Sequence, residues 1–263
     1  MSKWRLLSCK TNDAFMNMAT DEAILRARIN DEVPDTVRFY RWNPSAVSIG
    51  KFQDVENEVQ VDNCRKCGVN VVRRITGGGT VYHAAQDELT YSVIAGKKDM
   101  RAGGITEVYA KIYAGLAEAL KALGVTADFN EGTARTCPNL TVNGKKISGS
   151  AQCHKNGIVL QHGTLLVRVN LERMFELLRV PWARTRVEII EVARRRITSV
   201  TDELKRDISL NEIESVLVDG FQKVLDTNLK DGNMAQHELE LAKTLLETKY
   251  STSDWNYLGR SKD

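Results

Sequence analysis

Four stretches of the chain place apolar residues at the spacing of an amphipathic α-helix. Asp13 is a favourable N-cap for the first, and Gly124 follows the second where a left-handed C-cap is common. Ser209 and Glu212 have the spacing of a capping box and open the third. The predicted helices cover residues 13–31, residues 105–123, a segment that begins at 209, and residues 235–249.

Between the first two helices lie short runs rich in β-branched and aromatic residues, which predict strands. A second β-rich stretch covers about 139–169 and contains Asn143-Gly144, a pair favoured in tight hairpins. From about residue 170 the pattern is mostly helical. Because strands cluster around hairpin turns rather than alternating regularly with helices, we predict an α+β fold with mixed or antiparallel β-sheets and flanking helices. The first predicted strands cover residues 37–41, 46–50, 70–74 and 88–94.

Composition and charge exclude several classes of protein. The chain has 263 residues, of which 42% are hydrophobic, enough to bury a core. With 37 Lys and Arg against 34 Asp and Glu, its net charge of +3 gives no support for binding nucleic acid. No apolar run approaches the ~20 residues of a membrane helix, and the start lacks the apolar core of a signal peptide. We therefore expect a cytoplasmic protein that binds neither nucleic acid nor a membrane.

The segment from Arg73 to His83 is the first candidate site, because it contains three consecutive glycines, Gly77 to Gly79, after a β-branched strand. Glycine lets the backbone approach a ligand closely, and successive N–H groups can form a concave anion site. Arg74 and its neighbour could add charge and bidentate geometry for a phosphate or carboxylate. The spacing matches neither a Walker A loop nor a dinucleotide fingerprint. The alternative is a tight strand connection with solvated arginines.

The second candidate site lies at residues 144–152, where a turn delivers Lys145 and Lys146 onto a strand. Alternation along a strand sends two neighbouring side chains to opposite faces, so one lysine can point inward. The small residue Gly149 leaves room for a ligand, and a lysine beside an activated carboxyl group can stabilise developing charge. The alternative is an exposed basic hairpin tip.

A third segment places polar or small residues in an otherwise apolar strand, at His162, Gly163 and Thr164. Such groups need a partner or a ligand when they are buried. The five cysteines are scattered, which does not indicate a disulfide framework. Cys64 and Cys67 have half of a zinc spacing, but incidental thiols at the end of a short helix are the favoured interpretation, and we predict no metal site.

These three segments, in this order and at these separations, resemble the lipoate–protein ligase A family of the biotin/lipoate attachment superfamily. The likeness covers about residues 10–260 and implies the same α+β fold. It implies a single catalytic domain over residues 1–263, without the small C-terminal accessory domain of single-chain ligases. It also implies that lipoate and ATP, with Mg²⁺, give lipoyl-adenylate, whose acyl group passes to a lysine of a protein.

The resemblance implies a role for each site residue. Lys146 is the catalytic lysine that contacts the lipoyl carbonyl and the phosphate. The implied nucleotide and lipoyl-adenylate contacts are Arg74, Gly77, Gly78, Gly79, Thr80, Val81, Tyr82, His83 and Lys146. The implied pocket residues are Arg73, Ser148, Gly149, His162, Gly163 and Thr164.

The resemblance also implies partners. The acceptor is a lipoyl domain of a 2-oxoacid dehydrogenase or the glycine-cleavage H protein. A separately encoded small accessory subunit is expected, as in bipartite ligases. One departure from the family is that His83 is followed by Ala84 rather than by the aspartate usual in ligases.

Two alternatives to the ligase remain open from the sequence. The first is an ATP-independent octanoyltransferase of the same superfamily, which takes octanoyl groups from acyl carrier protein through a cysteine thioester. Cys137, ahead of the lysine hairpin, is its candidate nucleophile, and the run from Glu88 to Ser92 also occurs in such enzymes. The second alternative is a non-catalytic subunit that binds a lipoyl group or another ligand.

Overall fold

A computed structural model describes residues 2–133, 136–180, 183 and 185–260. The described residues form eleven strands and ten α-helices. The strands are β1 (Ser2–Asn12), β2 (Thr36–Trp42), β3 (Ala46–Ile49), β4 (Asn70–Arg73), β5 (Val81–His83), β6 (Glu88–Gly96), β7 (Asp128–Asn130), β8 (Asn139–Val142), β9 (Lys145–Lys155), β10 (Ile158–Leu166) and β11 (Thr227–Asp231). The α-helices are α1 (Ala14–Ile29), α2 (Val55–Glu58), α3 (Val61–Lys66), α4 (Ile105–Ala122), α5 (Leu171–Leu177), α6 (Arg186–Arg196), α7 (Val200–Leu204), α8 (Leu210–Leu225), α9 (Gln236–Leu245) and α10 (Ser253–Leu258), with a π-helix at Leu246–Tyr250.

Two sheets make up the β-structure. The larger has eight strands in the order β11-β1-β2-β6-β10-β9-β8-β7, and the smaller has three in the order β4-β3-β5. Strand β1 pairs in parallel with β2 and β11, whereas β2, β6, β10 and β9 pair antiparallel. The predicted α+β class with mixed sheets is therefore confirmed.

Helices cover the larger sheet. Helices α4 and α8 pack together on it through apolar side chains such as Ile112 and Phe221, and they approach closely where Gly115 lies against the Phe221 ring. Helix α1 contributes Ile24 and Leu25 to a separate cluster with β6 and β10, and Met18 to another with the smaller sheet and the C-terminal helices. Helix α1 therefore contributes to apolar clusters on both sheets.

The predicted helices are confirmed with small changes at their ends. Asp13 accepts a hydrogen bond from the Met16 amide, and Ser209 accepts one from the Glu212 amide, as expected of N-caps. The predicted fourth helix is α9 followed by the π-helix. Strands β1 and β11 were not predicted from the sequence, because both contain many polar residues and show little alternation.

Candidate active site

A cavity of about 350 Å³ lies between the two sheets. Its walls come from the glycine loop after β4, from the middle of β9 and β10, and from the segment before β8. The site residues predicted from the sequence that line it are Arg74, Gly78, Gly79, Thr80, Val81, His83, Lys146, Gly149, His162, Gly163 and Thr164, together with Cys137. The fold therefore brings the three segments and the alternative nucleophile to one place.

Four predicted site residues are not among those that line this cavity. Gly77 lies in the loop but does not face the cavity, and Ser148 is fully buried in β9. Alternation along β5 turns Tyr82 away from this cavity, and it packs with the apolar residues of the smaller sheet and lines a neighbouring cavity that also borders Lys146. The fourth residue is Arg73.

The Arg73 side chain lies outside the cavity, where it connects the segment after β3 to helix α10. Its Nη1 donates to the carbonyls of Gly50, Lys51 and Gln53 at 3.2, 3.1 and 2.6 Å. Its Nε donates to the Trp255 carbonyl at 2.9 Å. The structure therefore gives Arg73 a place in the scaffold rather than the pocket position predicted for it, because neighbouring strand residues face opposite sides.

The Arg74 guanidinium lies at the cavity wall and is fully engaged. Its Nη1 donates to the carbonyl and hydroxyl oxygens of Ser48 at 2.9 and 2.8 Å, and its Nε donates to Thr76 Oγ1 at 3.3 Å. Its Nη2 donates to the carbonyls of Gly77 and Gly79, both at 2.9 Å. Since a guanidinium has five N–H donors, none is left for a phosphate. Burial lowers the pKa of Arg74 to about 10.

The glycine loop needs glycine at its centre. Gly78 has φ of +88°, a conformation that L side chains rarely adopt, and a Cβ there would lie 3.3 Å from Cβ of Ala151 in β9. A Cβ on Gly50 would clash with the Gly78 carbonyl, so the segment after β3 lies directly against the loop. The loop is thus held by Arg74 on one side and by neighbouring backbone on the other.

His162, in the middle of β10, is bound at both ring nitrogens. Its Nδ1 lies 2.9 Å from Asp21 Oδ2, and its Nε2 lies 2.8 Å from Thr76 Oγ1. Burial lowers the pKa of His162, and the Asp21 carboxylate opposes this shift only in part. Asp21 is also buried, which favours its neutral form, but Arg38 and the hydrogen bonds from His162 and Arg38 outweigh burial and lower its pKa.

His83, at the end of β5, has a parallel arrangement. Its Nδ1 lies 2.6 Å from Glu88 Oε1, and its Nε2 lies 2.7 Å from Ser48 Oγ. The ring stacks on Trp42, with centroids 4.0 Å apart and planes inclined by 15°. Both histidines therefore form rigid walls of the cavity, and their ring nitrogens are occupied by protein groups.

Lys146 reaches the cavity because β9 contains a bulge. Thr141 of β8 pairs with Lys146 and Leu140 pairs with Ser148, so Ile147 is the extra residue. The bulge places Lys146 on the same face as Gly149, and a Cβ on that glycine would lie 2.5 Å from Lys146 Nζ. The Lys146 side chain is exposed to solvent at the cavity, although the surrounding walls reduce its solvation and lower its pKa. Among the described residues, no hydrogen bond or ion pair holds its ammonium group.

Cys137 lies in the segment before β8 and its side chain is exposed. The Tyr113 hydroxyl donates to the carbonyl of the next residue, Pro138, at 3.2 Å, and accepts from Ser150 Oγ at 2.8 Å. These contacts anchor the segment against α4 and β9. A negative charge on Cys137 favours the charged forms of Lys146 and Arg74, which shows that the three groups lie within electrostatic range.

A second cavity of about 260 Å³ also borders Lys146. It shares Lys146, Thr80, Val81 and Thr164 with the first cavity. Most of the remaining lining is apolar and includes Leu166, Met174, Phe175, Leu178, Val180 and Ile197. Lys146 therefore borders both cavities, one of which can hold an acyl chain while the other holds a leaving group or an incoming amine.

Comparison with known proteins shows where this arrangement occurs. Residues 13–222 match the family model of the lipoyl protein ligase A/B catalytic domain, and this match covers most of the chain, including every segment of the cavity. The chain belongs to this family. The family predicted from the glycine loop and the lysine hairpin is therefore confirmed, and with it an enzyme of lipoylation chemistry.

Individual members of the family resemble the chain over its whole length. Octanoyltransferase LipM of Brevibacillus brevis is 35% identical over 97% of this chain and 99% of its own length. A bi-partite lipoate protein ligase of Thermoplasma acidophilum, studied with its E2 lipoyl domain, is 31% identical, with a TM-score of 0.88 over 100% of this chain and 99% of the other. A lipoate-protein ligase A bound with ATP is also 31% identical, with a TM-score of 0.84 over 97% and 99% of the two chains.

This member of the lipoyl protein ligase A/B family has site residues that sequence reasoning missed. The predicted histidines and Arg74 are oriented by Asp21, Ser48 and Thr76. Each of these three residues is either far from its partner in the sequence or lies in a segment whose pattern does not mark it as functional. Asp21 lies in a helix most of whose residues are buried, so its carboxylate needs a buried partner, but the sequence does not show which group that is. The aromatic side chains that complete the cavity are Tyr40 and Trp42.

The described part of this family member shows neither a cluster of metal ligands nor a membrane-spanning helix. Among residues 2–133, 136–180, 183 and 185–260, no group of three or more His, Cys, Asp or Glu side chains is placed to hold a metal ion. Cys64 is buried in α3, and Cys67 caps that helix and accepts a hydrogen bond from Arg173 at 2.9 Å. Within the same ranges, every helix is too short or too polar to cross a membrane.

Proposed function

We propose that this protein transfers an octanoyl group from a thioester of acyl carrier protein to a lysine of a lipoyl domain or of a glycine-cleavage H protein. One observation carries the proposal: the Cys137 thiol lines the same cavity as Lys146. The full-length likeness to octanoyltransferase LipM supports transfer of an octanoyl group and a single catalytic domain over residues 1–263.

The transfer takes two steps. In the first, the Cys137 thiolate attacks the thioester carbonyl, a bond forms between its sulfur and the acyl carbon, and the carrier thiolate leaves and takes up a proton. In the second, the neutral ε-amine of the acceptor lysine attacks the new thioester, an amide forms, and the Cys137 thiol is released. Lys146 stabilises the negative oxygen that develops in both steps, because its ammonium group has no competing partner among the described residues.

A second candidate function is the ATP-dependent ligase that the sequence pattern indicated first. The cavity of about 260 Å³ beside Lys146 favours it, because an adenylate needs room for a nucleotide next to the acyl carbonyl. The likeness to a lipoate-protein ligase A bound with ATP gives the same support. In this case the substrates are lipoate and ATP, and a small accessory subunit is an additional partner. Mg²⁺ would bind mainly through the phosphates, with few protein ligands. Cys137 then has no covalent role.

The proposal assigns the remaining cavity residues as walls. The rings of His83 and His162, with Trp42 and Tyr40, line an apolar space suited to an eight-carbon chain. Gly78 and Gly79 line the same cavity, and we assign their backbone amides to add to the positive potential of Lys146 around the acyl carbonyl. The full-length enzyme relatives support a catalyst over a subunit that only binds a ligand.

The two candidate functions are separated by the mass of an apo lipoyl domain incubated with the protein. One reaction contains octanoyl-acyl carrier protein, and the other contains octanoate or lipoate with ATP and Mg²⁺. We expect an octanoyl mass increase in the first reaction alone. A mass increase that requires ATP would replace the transferase by the ligase.

The covalent step is tested without the acceptor. Incubation with octanoyl-acyl carrier protein should add one octanoyl group to the protein, and hydroxylamine should remove it. Cys137→Ser should abolish this adduct as a thioester, whereas the matched control Cys153→Ser should keep it, because Cys153 lies in β9 but does not line the cavity. An adduct that persists in Cys137→Ser would assign the nucleophile elsewhere.

A further inference from the structure

Two series of buried groups end on the guanidinium of Arg74. Glu88 contacts His83, and His83 contacts Ser48, whose hydroxyl oxygen accepts from Arg74 at 2.8 Å. In the same way, Asp21 contacts His162, and His162 contacts the hydroxyl of Thr76, which accepts from Arg74 at 3.3 Å. The members of the two series are Glu88, His83 and Ser48, and Asp21, His162 and Thr76.

The direction of every hydrogen bond in the two series follows from its ends. An ionised carboxylate only accepts, so each histidine donates from Nδ1 to its carboxylate. In a neutral ring, Nε2 then carries no proton and accepts from the hydroxyl group. Each hydroxyl donates to a histidine and therefore offers its oxygen to Arg74, which only donates. The alternative tautomer would place an Nε2 proton against a hydroxyl group and leave Nδ1 without a proton beside a carboxylate.

We infer that Asp21 and Glu88 are positioning residues, which fix His162 and His83 as Nδ1–H tautomers and thereby orient Arg74 and the glycine loop that it holds. Arg74 transmits the orientation through its remaining donors, which bind the carbonyls of Gly77 and Gly79. Gly78 and Gly79 line the cavity, so a turn of the guanidinium displaces the loop against the substrate.

The geometry argues against a role for either histidine as a general base. A base needs a ring nitrogen that reaches the proton it removes. Nε2 of His162 faces Thr76, which has 0% exposure, and Nε2 of His83 faces Ser48, which also has 0% exposure. Both Nδ1 atoms face buried carboxylates. The rings therefore act through Arg74 and not on the amine.

Burial makes these contacts costly to lose. Asp21 is 1% and Glu88 is 2% exposed, and both histidines are at most 5% exposed. Arg38 lies 2.6 Å from Asp21 and compensates its charge, while Tyr40 and Ser92 donate further hydrogen bonds to the same carboxylate. These donors favour the ionised form of the Asp21 carboxylate, which in turn keeps His162 in one tautomer.

The tautomers are measured by ¹⁵N–¹H NMR of the imidazole groups at neutral pH. The protein has four histidines, and His83→Asn and His162→Asn assign two of the signals. We expect His83 and His162 in the Nδ1–H form, which is the minor form of a free neutral imidazole. If both rings carry their proton on Nε2, the inference is wrong. This measurement uses no acyl donor, so its failure is distinct from a failure of the proposed function.

The kinetic test rests on the proposed function and uses variants of equal shape. Asp21→Asn and Glu88→Gln should lower kcat by about tenfold to 100-fold, the scale expected for reactive groups displaced by about 1 Å, and leave KM for the acceptor domain within about twofold. Glu22→Gln is the matched control: Glu22 is buried beside Asp21 but binds Lys249 and Tyr250. Equal kcat in Asp21→Asn and Glu22→Gln would contradict a positioning role.

A second pair of variants keeps the test valid if a carboxylate variant fails to fold. Thr76→Ser retains the hydroxyl group that joins His162 to Arg74, whereas Thr76→Val has nearly the same volume and removes it. We expect kcat close to wild type in Thr76→Ser and a loss of about tenfold or more in Thr76→Val. If the two variants have the same kcat, the link through Thr76 does not position the loop.

Discussion

The two sides of the cavity differ in how their polar groups are held. On one side, Arg74 uses all its donors on protein oxygens, and His83 and His162 have both ring nitrogens occupied. On the other, Lys146 has no hydrogen-bond or ion-pair partner among the described residues, and Cys137 is exposed. Both sides carry charge, but the polar groups of the first side are fixed by hydrogen bonds, whereas those of the second are available to contact a substrate.

This difference in hydrogen bonding separates the groups that shape the cavity from those that are available to a substrate. A polar group whose hydrogen bonds are complete is stabilised in its present position and gains little from a substrate. A charged group that lacks a partner in a cavity can direct its full electrostatic effect at charge that develops on a substrate. The bound side therefore provides shape, and the proposed function assigns catalysis to the unpartnered side.

The largest effect is expected from removal of the Lys146 ammonium group. Lys146→Ala should lower the rate of acyl transfer by about 100-fold to 1,000-fold, the loss expected for one donor to a developing oxyanion, while the thermal unfolding midpoint stays close to that of wild type. The measurement is the initial rate of acyl-domain formation by mass spectrometry. Lys145→Ala is the neighbouring control, because Lys145 does not line the cavity of Lys146. A similar loss in both variants would mean that position 146 has no special role.

The second test weakens the rigid side. Arg74→Lys replaces five donors by three, so buried oxygens lose partners, and we expect the free energy of unfolding in urea to fall by about 2–4 kcal/mol. Transfer activity should fall with it because the glycine loop is no longer held. Arg73→Lys removes a comparable set of bonds outside the cavity, so it should cost similar stability with a smaller decrease in kcat. Equal losses of kcat would remove the distinction between the two arginines.

The third test disturbs the path of Lys146 without removing it. In Gly149→Ala, the new methyl group would meet Lys146 Nζ at 2.5 Å and Cε at 2.6 Å, so the flexible side chain must move. We expect about a tenfold loss in kcat, with little change in stability, because only the end of a side chain is displaced. Gly104→Ala serves as the control, since a methyl group at that position would have no heavy atom of the described residues within 4 Å beyond its chain neighbours. Unchanged kcat in Gly149→Ala would show that the lysine acts from another position.

The smallest expected effect concerns acid stability. The pKa of His162 is lowered by burial, so below about pH 6.5 the unfolded chain binds a proton that the folded chain does not. The free energy of unfolding must then decrease as pH falls, and Asp21, whose pKa is also lowered, adds a further loss at lower pH. Urea unfolding at pH 7.5 and 5.5 measures this. His162→Gln should reduce the difference between the two pH values, and an unchanged difference would assign it to other groups.

Much of the fold could be predicted from local pattern. The helices beginning at Asp13 and Ser209 have caps that the sequence shows directly, and the structure has the same caps. The glycine loop and the lysine hairpin indicated the family, which the family model confirms. Close approach of the backbone to a ligand needs glycine, and a cation without a protein partner in the cavity needs lysine. Strands β1 and β11 could not be predicted, since they are stabilised by pairing between residues at opposite ends of the chain, such as Ser2 with Thr227.

Part of the site was beyond local pattern for a similar reason. Arg73 and Arg74 look equivalent in sequence, and only the position of β4 between β3 and α10 shows that one binds the scaffold and the other the loop. The bulge at Ile147 decides which lysine enters the cavity, and bulges have no fixed sequence signature. Asp21 belongs to a helix that lies far along the chain from the histidine that it orients, at a separation of 141 positions.

Adjacent positions on α1 have a consequence for synthesis on the ribosome. Asp21 contacts groups no later in the chain than His162, whereas Glu22 contacts Lys249 and Tyr250. The same helix turn therefore has partners that emerge early and partners that emerge about 90 residues later, or several seconds at ordinary translation speeds. During that interval the partners of Asp21 are already synthesised, whereas Glu22 still lacks Lys249 and Tyr250.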